Sequence, residues 1–90
     1  MYSRITTIVN PTGIHARPAS DFMRMATKFK SVITIGPTNK DTRANAKSII
    51  LLLSLSLSKG TEVEVIADGV DEKEAVDTLV ELIQSGFGEL

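Results

Sequence analysis

The only histidine of the chain, His15, stands two residues before an arginine, Arg17. A neutral imidazole is a nucleophile near neutral pH, and a guanidinium offers a planar fork of donors matched to phosphoryl oxygens. Together they could accept a phosphoryl group and hold it. Their setting strengthens that chemistry. Asn10-Pro11-Thr12-Gly13 has turn composition, and Ala19, Phe22, Met23 and Ala26 then recur at i, i+3, i+4 and i+7, the pattern of one helix face. His15 therefore lies at or just before a helix N-terminus. Such an end has unsatisfied N–H groups and the positive pole of the macrodipole, so it favours an anion and disfavours imidazolium. Pro18 falls in the first turn, where its missing N–H costs nothing, while the N–H groups of Ala16 and Arg17 stay free to meet a ligand. The residues alone leave a second reading open: a surface histidine beside a capping turn, with a solvated arginine.

The elements that must position this pair can be read along the chain. Tyr2 to Val9 alternates and is rich in β-branched residues, which predicts a half-buried strand with Ile5 and Val9 on one face and Arg4 and Thr6 on the other. A helix over residues 16 to 29 follows, with Lys28 and Lys30 at its negative end. Ser31 to Ile35 alternates again with Ile33 and Ile35 inward, and Gly36-Pro37 is expected to break it. Thr42 to Ala46 completes a hairpin. Ser48 to Ser58 satisfies both strand and helix periodicities; the helix propensity of leucine favours a helix from Ser48, closed by Lys59-Gly60. Thr61 to Ala67 alternates cleanly, with Glu62 and Glu64 facing solvent. Asp71 to Glu74 then has the form of a capping box, with Val70 and Ala75 as its staple. It opens a helix with the stripe Ala75, Val76, Leu79, Val80, Leu82 and Ile83, which stops at Gly86. The order β-α-β-β-α-β-α predicts an α+β fold, with helices covering one face of a mainly antiparallel sheet.

Composition narrows the function. Ninety residues suit one domain spanning 1–90, with a small core. A net charge of −1 with one Tyr and three Phe provides neither the positive field nor the stacking platforms of a nucleic-acid binder. The absence of cysteine excludes disulfides and thiolate metal sites, and a lone histidine without a carboxylate cluster argues against zinc. No metal or cofactor is expected. The first residues lack an apolar signal core, and the longest apolar run, Ile49 to Leu53, is too short to span a bilayer. The expected location is the cytoplasm.

Gly13-Ile14-His15-Ala16-Arg17-Pro18-Ala19 resembles the active-site signature of the HPr family, the histidine phosphocarriers of the bacterial phosphoenolpyruvate-dependent phosphotransferase system. The resemblance continues through Asn45-Ala46-Lys47-Ser48-Ile49-Ile50 and covers essentially the whole chain. It implies an open-faced β-sandwich, with His15 accepting a phosphoryl group on Nδ1 (a pros-phosphohistidine) and Arg17 stabilising it. Implied partners are enzyme I as donor and an enzyme IIA-type domain as acceptor, with the carrier acting as a monomer. In bacteria with an HPr kinase, the serine matching Ser48 is a regulatory phosphorylation site; from physics alone Ser48 is a helix N-cap. A helix lying on a sheet cannot bury all five apolar residues from Ile49 to Leu53, so some of Ile50, Leu51 and Leu55 are expected to be exposed near His15, and Ile49, Ile50, Leu51, Leu53 and Leu55 form either a docking patch or part of the core. Leu51 and Ser56 stand where many HPr sequences have glycine. The turn between the second and third strands and the ending Leu82 to Phe87 look more like NPr, the nitrogen-branch paralogue. The branch stays open, as does an alternative reading, a regulatory binding module acting through its contact surface and Ser48.

Overall fold

The computed structural model describes all 90 residues. Strand β1 (Tyr2–Thr7) leads to helix α1 (Ala16–Ala26), β2 (Val32–Pro37), β3 (Ala44–Asn45), α2 (Ile49–Ser54), β4 (Glu62–Asp68), α3 (Glu72–Gln84) and a final 3₁₀ turn, Gly86–Gly88. The four strands form one sheet in the order β1-β4-β2-β3, every neighbouring pair antiparallel. The expected α+β architecture and element order are both present.

Side-chain alternation decides which sheet face is covered. Val63, Val65 and Ala67 of β4 lie opposite Pro37, Ile35 and Ile33 of β2, and all six are buried. From the helical layer, Ala19, Phe22 and Ala26 of α1, Leu52 of α2 and Ala75, Val76, Leu79, Val80 and Ile83 of α3 close over this row in one continuous core. The opposite face, with Val32, Thr34, Glu64 and Ile66, has no helix over it.

β1 has the reverse phase from the one its sequence suggests. Thr6 and Ile8 are buried, whereas Ile5 is 56 % exposed and lies opposite Glu64 on the uncovered face. Pairing with β4 sets this register, and the polar inward residues are accommodated by α3. The Tyr2 hydroxyl donates to Asp77 Oδ1 at 3.0 Å, and Arg4 donates to the same oxygen at 3.2 Å. A phase shift of one residue exchanges the whole inward set, so a hydrogen bond and an ion pair to the one Asp77 carboxylate of α3 outweigh one isoleucine.

Several element ends also differ. Gly36 and Pro37 belong to β2 and do not break it; a side chain at Gly36 would collide with the Thr42 carbonyl as the chain returns toward β3. α1 stops at Ala26, beyond which single turns carry the chain to Phe29, whose carbonyl accepts from Lys47 Nζ at 2.7 Å. α2 ends at Ser54 and not at Lys59-Gly60. Ser54 Oγ donates to the Leu51 carbonyl at 2.6 Å, and Ser56 has φ 51°, outside the helical region. At α3 the capping box does not form. The Asp71 carboxylate reaches across to the backbone N–H groups of Lys30 and Ser31 and to the Ser31 hydroxyl, while Glu72 accepts from the Gly69 N–H at 3.1 Å. Val70 is 87 % exposed and forms no staple.

Candidate functional site

The segment between β1 and α1 is held from two sides. The Gly13 N–H donates to the Asn10 carbonyl at 3.2 Å and Asn10 Nδ2 donates to the Gly13 carbonyl at 2.8 Å, which closes the turn on itself. Gly13 has φ 70°, and a Cβ there would strike the Leu57 carbonyl, so this position requires glycine on both counts. That same carbonyl accepts the Ile14 N–H at 2.8 Å. With Ile14 fully buried, the loop after α2 anchors the residue immediately before His15.

His15 is the N-cap of α1. Its backbone is extended (φ −134°, ψ 164°), its side chain makes no capping bond, and it is half-buried. Ala16 then has φ 46°, a left-handed conformation costly for a residue with a Cβ. The N–H groups of Ala16 and Arg17 have no acceptor within the protein, and Pro18 has no N–H to satisfy. Arg17 is exposed and makes no ion pair, and the first turn contains no acidic residue. Free donors, the helix dipole and an unpaired guanidinium thus combine at one helix end beside an imidazole. Such an end can receive an anion and orient it against the ring.

The second helix packs on the first. Ser48 caps it, its Oγ accepting from the Leu51 N–H at 3.3 Å. Of the apolar residues singled out on α2, Ile50 (76 % exposed), Leu51 and Leu53 face solvent. Ile49 and Leu55 are half-buried and pack against the core, so the exposed patch is smaller than the apolar run. No three His, Cys, Asp or Glu residues are grouped to hold a metal ion. No helix is long and apolar enough to cross a membrane.

Two features of this region escape a reading of the sequence. The left-handed Ala16 has no compositional signal, since alanine is the best helix former. The other is Glu89, whose carboxylate accepts from Asn10 Nδ2 at 3.0 Å and from the Thr12 hydroxyl at 2.9 Å. These bonds, Asn10 first, hold the Glu89 carboxyl below the usual carboxylate range. Its only hint in the sequence is the pair of glycines flanking Phe87.

Residues 2–85 match the family model described as "PTS HPr component phosphorylation site". The chain belongs to the HPr family. It is 42 % identical over 89 residues to phosphocarrier protein HPr of Neisseria meningitidis, covering 99 % of this chain and 98 % of the relative. To phosphocarrier protein NPr of Proteus mirabilis it is 38 % identical over 88 residues, covering 98 % and 96 %. The crystal structure of HPr from Thermoanaerobacter tengcongensis superposes with a TM-score of 0.93 at 47 % identity, covering 100 % of this chain and 99 % of the other. A structure from the same organism described as an HPr dimer gives 0.76 at 48 % identity, covering 93 % and 94 %. The protein is an HPr-type histidine phosphocarrier of the phosphotransferase system, a substrate of phosphotransfer and not itself an enzyme. HPr-named and NPr-named relatives both align over nearly the whole chain, so the alignment does not separate the two branches.

Proposed function

We propose that His15 is the phosphoryl acceptor and that Arg17 with the N–H groups of Ala16 and Arg17 binds the transferred group. The observation that carries this reading is the open N-terminus of α1, with its unbonded donors beside the chain's only histidine. In the forward step Nδ1 attacks the phosphorus of phosphorylated enzyme I; an N–P bond forms as the donor's bond to phosphorus breaks. The phosphoryl group then passes to a nucleophile of an enzyme IIA-type domain, and His15 is restored. Donor hydrogen bonds and the guanidinium hold the phosphoryl oxygens in line, so the carrier's contribution is positioning and electrostatics.

The exposed Ile50, Leu51 and Leu53 next to α1 support a docking surface for both partners, with the half-buried Ile49 and Leu55 beneath it. Phosphorylation of Ser48 by an HPr kinase would add charge at this patch and oppose docking, while the helix end tolerates the anion. A single continuous core and a β1 paired within its own sheet support one domain, 1–90, working as a monomer. The location proposed is the cytoplasm, where the donor and acceptor domains are met.

Incubation with phosphoenolpyruvate and enzyme I, followed by mass measurement, tests the reading. The chain is expected to gain one phosphoryl group, and the His15→Ala variant none, with an unchanged melting temperature because alanine accepts the extended backbone of an N-cap. Phosphoryl gain by His15→Ala would refute the assignment.

A further inference from the structure

We propose that Glu89 is a positioning residue for His15, clamping the Asn10–Gly13 turn from which His15 is presented; this rests on reading His15 as the phosphoryl acceptor. The chain after α3 is built to bring this carboxylate back. Gly86, Phe87 and Gly88 are left-handed in succession (φ 70°, 54° and 78°), and the Glu89 N–H donates to the Gly86 carbonyl at 2.9 Å. The Leu90 side chain fills the space that a Cβ on Gly86 would need, and Phe87 packs against the core. The reversal places Glu89 Oε1 within reach of Asn10 Nδ2 (3.0 Å), the Thr12 N–H (3.4 Å) and the Thr12 hydroxyl (2.9 Å), with Oε2 also 2.9 Å from that hydroxyl.

Asn10 transmits the clamp. It is fully buried, and its Oδ1 meets no donor, so its amide is oriented by what its Nδ2 meets: the Gly13 carbonyl, Glu89 and, at 3.4 Å, the Thr12 hydroxyl oxygen. A buried amide with one end unsatisfied is held in place only while the other end keeps its partners. Removing the carboxylate takes one acceptor from Asn10 and breaks the bonds that the Thr12 N–H and hydroxyl make to Glu89. The turn keeps its Asn10–Gly13 bonds and the Ile14 anchor but loses the carboxylate that fixes Thr12 and the Asn10 amide ahead of the reacting ring. Small misplacements of a reacting group cost rate more than binding.

Steady-state phosphoryl transfer from enzyme I to wild type, Glu89→Ala, Glu89→Gln and His15→Ala, below the melting temperature of each, decides the matter. Glu89→Ala is expected to lower kcat about tenfold with KM for the chain little changed, because the loss is of orientation and not of docking. Glu89→Gln retains an oxygen acceptor for Asn10 and Thr12 and is expected to restore most of the rate. Amide exchange at Gly13 should quicken in the alanine variant and not in the glutamine variant. A normal kcat in Glu89→Ala, a loss confined to KM, or an equal loss in both variants would overturn the proposal. Phosphoryl acceptance by His15→Ala would instead overturn the acceptor assignment beneath it.

Discussion

The N-termini of α1 and α3 have the same backbone problem and opposite solutions. Both expose unpaired N–H groups and a positive dipole. α3 has Glu72 and Glu74 in its first turn, and Glu72 also binds the Gly69 N–H ahead of it. Neither end has a side-chain cap, but α1 also has no acid in its first turn and has a left-handed Ala16. The α3 end is made for stability. By the same standards the α1 end is poorly stabilised, and in the proposed reading the partner it lacks is the phosphoryl group carried on the imidazole. α2 lies between them, its end closed by a neutral hydroxyl, that of Ser48. Unfilled capping capacity is thus a functional signal when a nucleophile stands beside it.

Changes that fill or empty these ends test the contrast. The largest effect is expected from Arg17→Ala, which removes the one permanent charge at the α1 end; losing about 1.5–3 kcal/mol of charge-assisted hydrogen bonding slows phosphoryl transfer roughly ten- to a hundredfold. Stopped-flow transfer from phosphorylated enzyme I measures it, and an unchanged rate would make Arg17 a solvated bystander. Ala16→Asp makes α1 resemble α3. Aspartate tolerates a left-handed backbone better than most residues, so melting temperature should hold or rise while transfer slows several-fold. Faster transfer in this variant would contradict the electrostatic account.

Ser48→Ala is expected to lose about 1 kcal/mol of stability with the cap and to transfer normally, whereas Ser48→Asp keeps a cap and loses transfer at subsaturating enzyme I. Equal transfer in wild type and Ser48→Asp would restrict Ser48 to capping. The smallest effect concerns acid. Ser31 foremost holds Asp71 below its ordinary value of 3.8, and Lys73 foremost does the same for Asp77. A carboxylate with a depressed folded-state pKa contributes stability that is complete above the unfolded value and lost as pH falls through the folded one. Melting temperature should therefore be flat near neutrality and decline below about pH 4, with Asp71→Asn and Asp77→Asn each flattening that decline. A decline that begins near pH 6 would contradict this carboxylate origin.

Local chemistry was legible in the sequence and long-range choice was not. The turn before His15, the β4 alternation and the α3 stripe each depend on neighbours a few residues apart, and all three are present. The phase of β1 depended on Asp77, more than seventy residues away, which holds Tyr2 and Arg4 on the covered face. Asp71 had a local capping role available and took three donors at Lys30 and Ser31 instead. Glu89 acts on Asn10 and Thr12 only because the chain reverses after α3. In each case several convergent donors outcompeted the local rule, and convergence of that kind is a property of the fold.

In the proposed mechanism the open end of α1 receives the phosphoryl group on the imidazole beside it. Proton–nitrogen correlation spectra of the ¹⁵N-labelled chain, before and after phosphorylation by enzyme I and phosphoenolpyruvate, test it directly. A phosphorus-coupled Nδ1 on His15 is expected together with large shifts of the Ala16 and Arg17 amides as they bind phosphoryl oxygens. A phosphoryl group on Nε2, or Nδ1 phosphorylation that leaves both amides unmoved, would contradict it.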